Sequence, residues 1–181
     1  MKIVCLAWGS LLWKTGPLVL ASSWHEDGPV LPIEFCRVGD GGELSTAICP
    51  GAAPQRAWWA VLAADDLAQA REQLRAREEI DAHHPEWVGS LVNGVAGPSA
   101  PPAIQEWLES SRFDAVIWTA LPPRIDGDEG RCPELPEALK YLDRLTGETR
   151  EHAEDYIRRV PPSLDTEYRK AFVEYLGWRP L

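Results

Sequence analysis

The chain has 181 residues, 45% of them hydrophobic and 25% charged, the proportions of a single globular domain long enough to bury a real core. A net charge of −10 with no basic patch excludes the electrostatic footprint of a nucleic-acid binder or of a protein held on anionic membrane. The apolar run after Met1-Lys2 is too short for a signal peptide, and nothing approaches the ~20 apolar residues of a membrane helix, so a cytoplasmic protein is expected.

Residues 2–8 read as a first strand. The apolar run stops at Gly9-Ser10 and resumes at once as Leu11-Leu12-Trp13. Glycine permits close backbone approach or a positive φ. A strand end followed by Gly-Ser can turn several N–H groups to one side, making a small anion-binding concavity to which Ser10 adds a hydroxyl. Such a loop suits a carboxylate, because backbone donors bind negative charge without a buried cation. A tight turn that only redirects the chain fits the same spacing. Trp8 and Trp13 flank the turn and are placed to line a pocket, while the other tryptophans default to core.

Residues 31–38 and 43–50 are apolar-biased runs joined by "GDGG", which supplies the positive-φ residues of a hairpin turn. Arg37 on this hairpin faces either a pocket or solvent. Residues 57–64 read as a strand and 65–79 as a helix with Asp65 or Asp66 as N-cap. At ~100° per residue, Leu67, Ala70 and Leu74 share one face, with Glu78 only ~20° from Leu67 and Glu79 ~120° away. A carboxylate on the packing seam is costly unless hydrogen-bonded or functional, and partial burial makes it a better base. Fraying at Arg77 would instead leave both glutamates solvated. Residues 86–93 read as a strand, 94–102 as a loop and candidate flap, 103–112 as a short helix and 113–121 as the strongest strand. After "PPRIDGDEGRCP" come three helical segments, 134–145, 147–160 and 165–176, broken at Thr146-Gly147 and Pro161-Pro162. The order is that of an α+β fold, without the regular alternation of a doubly wound sheet. His83 and His84 are adjacent and no spacing completes a metal site. The four cysteines, Cys5, Cys36, Cys49 and Cys132, lack CxxC spacing and read as buried free thiols.

"LAWGSLLWKTGPL" resembles the N-terminal signature of the gamma-glutamylcyclotransferase-like superfamily, in which a first strand ends in an aromatic–Gly–Ser–Leu loop. It is especially similar to the ChaC-like, glutathione-specific branch, whose loop continues as apolar–Trp–Lys. Leu74-Arg75-Ala76-Arg77-Glu78 resembles that branch's Leu-x-x-Arg-Glu segment, which carries its acid/base glutamate. The likeness covers residues 2–80 and 113–121, and the rest diverges. It implies a small mixed β-barrel with flanking helices over 1–130, to which the order of elements adds a helical C-terminal extension, 131–181, packed on the same domain. It implies a reaction without metal or organic cofactor, in which the α-amine of a small γ-glutamyl substrate attacks its own γ-carbonyl and releases 5-oxoproline. Carried over, Trp8, Gly9, Ser10, Leu11, Leu12 and Trp13 form the substrate-binding loop and Glu78 is the acid/base. Two departures bear on this. Trp8 stands where many members have Tyr, and "DAHHPEW" replaces the branch's Gly-rich, Tyr-containing continuation. The alternative function they motivate is a non-catalytic small-molecule-binding module that keeps the pocket; a third is a protein-interaction role for 134–181.

Overall fold

A computed structural model describes residues 1–95 and 100–181, and shows a mixed α+β protein with two mixed sheets. Part of the flap expected at 94–102, residues 96–99, lies outside this description. Five α-helices occur among the described residues, and none of them is long and apolar enough to cross a membrane. The chain divides into two compact units of three segments each. The first comprises Met1–Ala7, Lys14–Leu31 and Arg56–Leu121, and the second Trp8–Trp13, Pro32–Gln55 and Pro122–Leu181.

The first unit is built on one four-stranded sheet. Strand β1 (Ile3–Ala7) runs between β5 (Trp58–Val61), antiparallel to it, and β7 (Ala115–Thr119), parallel to it; β6 (Val88–Val92) pairs antiparallel with β7. The two central strands are near-continuous apolar runs, as expected where both faces of a strand are covered, and Ile3, Val4, Cys5, Ala115, Val116 and Ile117 are fully buried. Residues 19–28, which carry no strand pattern, hydrogen-bond along the outer edge of β5 through Ala21, His25 and Gly28, so this edge is not left as an open template. Helix α1 (Leu67–Arg77) buries Ala70 and Leu74. It is pinned to β6 by Arg71, whose guanidinium donates to Val88 O at 2.7 Å. Helix α2 (Pro102–Glu109) buries Ile104 and Leu108.

The second unit carries the other sheet. Strand β2 (Val30–Val38) pairs antiparallel with β3 (Leu44–Ile48) and parallel with the short β8 (Arg124–Ile125), which turns back into β9 (Asp128–Glu129); β4 (Pro54–Arg56) also pairs with β2. The β2–β3 turn closes with Gly39 N–H to Glu43 O at 2.8 Å, and Gly42 takes the positive φ (82°) the sequence pattern calls for. Helices α3 (Leu135–Arg144), α4 (Gly147–Arg159) and α5 (Glu167–Leu176) follow, within a residue or two of the expected segments. The corner between α4 and α5 is held by Arg169, whose side chain is 2% exposed overall and donates to the carbonyls of Ile157, Val160, Pro161 and Leu164. The Ile157 and Val160 carbonyls are acceptors that the end of α4 leaves without intrahelical partners, and Pro161 and Leu164 lie in the corner beyond it. Burial lowers the Arg169 pKa to about 10, and its guanidinium lies 5.4 Å from the Phe35 ring centroid.

Candidate functional site

Residues 8–13 belong to the second unit and Glu78 to the first. In the loop, Ser10–Leu12 form one 3₁₀ turn, with Leu12 N–H bonded to Gly9 O at 3.0 Å and Trp13 N–H to Ser10 O at 3.2 Å. These bonds do not use the amides of Gly9 and Leu11. Gly9 has a negative φ of −155°, so no left-handed backbone is involved. What requires glycine is close approach: a Cβ there would lie 2.6 Å from both Thr46 Oγ1 and Tyr156 OH. Thr46 Oγ1 donates to Trp8 O at 2.7 Å, and Thr46 N–H donates to the Tyr156 hydroxyl at 3.2 Å. The two hydroxyl oxygens are 3.1 Å apart. Thr46 has spent its proton on Trp8 O, so a bond between the hydroxyls has Tyr156 as donor. Tyr156 also meets Trp13 edge-on, with ring centroids 5.5 Å apart. Trp8 and Leu11 are buried, while Ser10, Leu12 and Trp13 are half-buried. A turn braced in this way presents fixed backbone dipoles rather than a mobile loop.

Glu78 is the C-cap of α1, and a Schellman-type ending fixes it. Glu78 N–H still reaches back to Leu74 O at 3.0 Å, Glu79 turns left-handed (φ 53°), and Ile80 N–H closes onto Arg75 O at 3.0 Å. The helix stops at Arg77, two residues short of the expected end. Solvation of both glutamates does not follow: only 16% of the Glu78 side chain is exposed, whereas Glu79 is exposed. Arg77 NH1 lies 3.5 Å from Glu78 Oε1, and its Nε donates to Lys14 O at 2.7 Å, on the residue directly after the loop. The Cys5 thiol on β1 is pushed well up by burial and further by the negative charge of Glu78, with Arg77 opposing. Glu78 is therefore a partly desolvated, ion-paired carboxylate whose field reaches the strand that runs into the loop.

Sequence spacing carried no sign of Thr46 or Tyr156 as supports; they become partners only through folding. Arg37 is neither of the things expected of it in simple form. It is buried, donates to Pro122 O at 2.8 Å and forms an ion pair with Glu129 at 2.7 Å. His83 and His84 pair with Asp81 and Glu86 at 2.7 and 2.9 Å. No group of three or more His, Cys, Asp or Glu side chains among the described residues is arranged to hold a metal ion. In the first unit, Trp59 and Trp107, two tryptophans expected to be plain core, instead line an open groove of about 450 Å³ together with Phe113, Lys2, His25 and Arg112. Compared with known proteins, the chain matches no family model, no curated protein and no solved structure.

Proposed function

We propose that the chain is a gamma-glutamylcyclotransferase-like enzyme, with the small mixed-barrel fold of that superfamily, that converts a γ-glutamyl amine or peptide into 5-oxoproline and a free amine. Trp8 to Trp13 hold the γ-glutamyl end through backbone donors, and Glu78 is the acid/base. The observation that carries the reading is Glu78 itself, a carboxylate kept largely from water just beyond the last turn of α1, where the resemblance requires the proton carrier. The glycine demanded at position 9 by close packing supports the loop's role.

The reaction balances with groups of this kind. The substrate's α-ammonium gives a proton to the Glu78 carboxylate. The freed amine attacks the γ-carbonyl carbon, the five-membered ring closes, and the bond from that carbon to the leaving nitrogen breaks. Glu78 returns that proton to the departing amine, the ring nitrogen sheds its second proton through the same carboxylate as it becomes the lactam N–H, and the amine departs as an ammonium, so no water or oxidant enters the balance. Positioned proton transfer contributes typically ~10²- to 10⁴-fold, and holding a flexible chain in its ring-closing shape contributes at least as much.

The test is 5-oxoproline release from a panel of γ-glutamyl amines and peptides by the purified protein and by Glu78→Gln. The wild type should turn over at least one compound, and the variant should lose ~10²-fold or more in kcat with an unchanged fold. Absence of turnover across the panel, or a Glu78→Gln variant as active as wild type, rejects the enzyme. Thermal stabilisation by a γ-glutamyl compound without product would replace it with the binding module.

A further inference from the structure

The aromatic groove of the first unit opens on the opposite face of its sheet from Glu78. Trp59 pairs with Leu6 and Val61 with Val4 across β5 and β1, and residues directly opposite on antiparallel strands point to one face. Cys5, the β1 residue on which the charge of Glu78 acts, points to the other face, because successive side chains of a strand alternate. Trp59 and Val61 line the groove, which is therefore separate from the proposed acid/base. Its volume of about 450 Å³ falls within the ~300–1,000 Å³ of small-molecule sites.

The walls supply two kinds of contact. Trp59, Trp107 and Phe113 meet with centroids 4.8–6.1 Å apart and interplanar angles of 36–56°. Rings tilted in this way leave faces and edges turned to the groove instead of covering one another. His25 lies nearly flat on Trp59, with centroids 4.2 Å apart and planes 18° from parallel, so this wall accepts a planar ring. The second kind of contact is charge. The Lys2 ammonium is held 5.3 Å from the Phe113 centroid, and Arg112, next to Phe113 in the chain, is exposed. Neither cation has an ion-pair partner among the described residues. The neighbouring carboxylates are engaged elsewhere: Asp27 accepts from the Trp59 indole N–H at 2.7 Å, and Asp114 accepts from the Lys2 backbone amide.

Among the charged residues that line the groove, Lys2 and Arg112 outnumber Asp27 by one, in a chain whose net charge is −10. A surplus of one positive charge matches a monoanion. A doubly charged phosphate ester would leave negative charge uncompensated inside a protein that repels anions. We propose that this groove is a binding site for a small planar aromatic carboxylate. Its ring packs against Trp59, Trp107 and Phe113, and its carboxylate pairs with Lys2 and with the guanidinium fork of Arg112.

The probe is 2-naphthoate, with 2-naphthalenemethanol as the uncharged ring, acetate as the anion without a ring and 2-naphthyl phosphate as the dianion. Each is titrated to about 5 mM, several times the ~1 mM Kd of a weak ligand, into full-length nitrogen-15-labelled protein while the tryptophan indole N–H resonances are followed. Trp59→Phe and Trp107→Phe assign two of the nine. 2-Naphthoate should shift both saturably and bind roughly fivefold or more tighter than the alcohol. Acetate should shift neither, and the phosphate should bind no tighter than the carboxylate. Lys2→Gln, Arg112→Gln and added salt should each weaken 2-naphthoate and leave the alcohol unchanged. Glu78→Gln should bind 2-naphthoate as the wild type does, whether or not the protein releases 5-oxoproline. The absence of a saturable shift at Trp59 and Trp107, equal affinity for the alcohol, tighter binding of the phosphate, or loss of binding in Glu78→Gln each overturns the proposal. So does a shift of the two resonances with protein concentration alone, which would make a second copy of the chain the occupant.

Discussion

Glu78 and Glu79 differ by one backbone step, and that step decides what each can do. Glu78 continues the last helical turn through its N–H to Leu74 O, so the i to i+4 relation that put it on the seam survives although the helix has ended. Glu79 takes the left-handed conformation that closes the Schellman ending, at a backbone cost of about 1–2 kcal/mol for a residue bearing a Cβ. Glycine removes that cost. Glu79→Gly should therefore raise the unfolding free energy by about 1 kcal/mol and the midpoint by about 2–4 °C in a thermal melt, with any 5-oxoproline release unchanged. A variant that melts lower would mean that the left-handed turn does not limit stability at this helix end. The preference for Glu78 over Glu79 was legible because it needs only helical periodicity. For the glycine at position 9, close approach was legible as one of two possible causes, but the groups that approach were not. Thr46 and Tyr156 stand 110 residues apart in the chain, and no local pattern announces that their hydroxyls meet under one backbone.

Secondary structure follows its local signals where those signals are long. The "GDGG" turn and the three C-terminal helices have ample apolar periodicity, and they form where expected. The hairpin of β8 and β9 does not stand out, because its strands are two residues each and three of the four residues are charged. Its turn, Asp126-Gly127, has positive φ at both positions (53° and 78°), the signature of a tight two-residue hairpin, and that dipeptide was readable in "IDGD". Packing between β2 and α5 is equally silent in the sequence. Glu34 on β2 is buried, and its carboxylate accepts from Phe35 N–H at 2.9 Å and from Tyr168 N–H, in the first turn of α5, at 3.3 Å. Burial raises its pKa, and the hydrogen bonds from Thr166, Phe35 and Tyr168 only partly offset that. A group whose folded pKa is raised stabilises fully below its unfolded pKa, about 4.3 for Glu, and that stabilisation is lost as pH rises through the folded value. Glu72, Asp81, Glu86, Glu129 and Glu137 are all lowered, and act in the opposite sense as pH falls. The wild-type curve mixes the two, so the difference between wild type and Glu34→Gln isolates one carboxyl. In denaturant titrations from mildly acidic to neutral pH, wild-type stability relative to Glu34→Gln should fall as pH rises. A difference independent of pH would place the Glu34 carboxyl in an ordinary aqueous environment.

At the scale of the whole chain, segments 8–13 and 32–55 share a compact unit with 122–181, so the C-terminal helices do not form a unit by themselves. Composition and element order give no hint of this, because each segment looks complete in its own pattern of apolar residues. The contacts inside the second unit decide what removing residues 131–181 would do. Phe35 on β2 would lose Phe172, 5.7 Å away edge-on, and Glu34 would keep its charge but lose Tyr168 and Thr166. Thr46 would lose the Tyr156 hydroxyl that braces its backbone N–H. Burial of one large apolar side chain is worth about 1.5–3 kcal/mol. Ile157, Leu142, Leu164 and Phe172, all fully buried, would go together, which approaches the ~5–15 kcal/mol that holds a typical domain. In a chain of residues 1–130 the backbone amides of β2 and β3 should therefore exchange with solvent much faster than in the full protein, as read by hydrogen exchange. If they stay as protected as in the full protein, strands β2 and β3 do not depend on the helices that cover them, and the 131–181 segment is an appendage free to serve a partner.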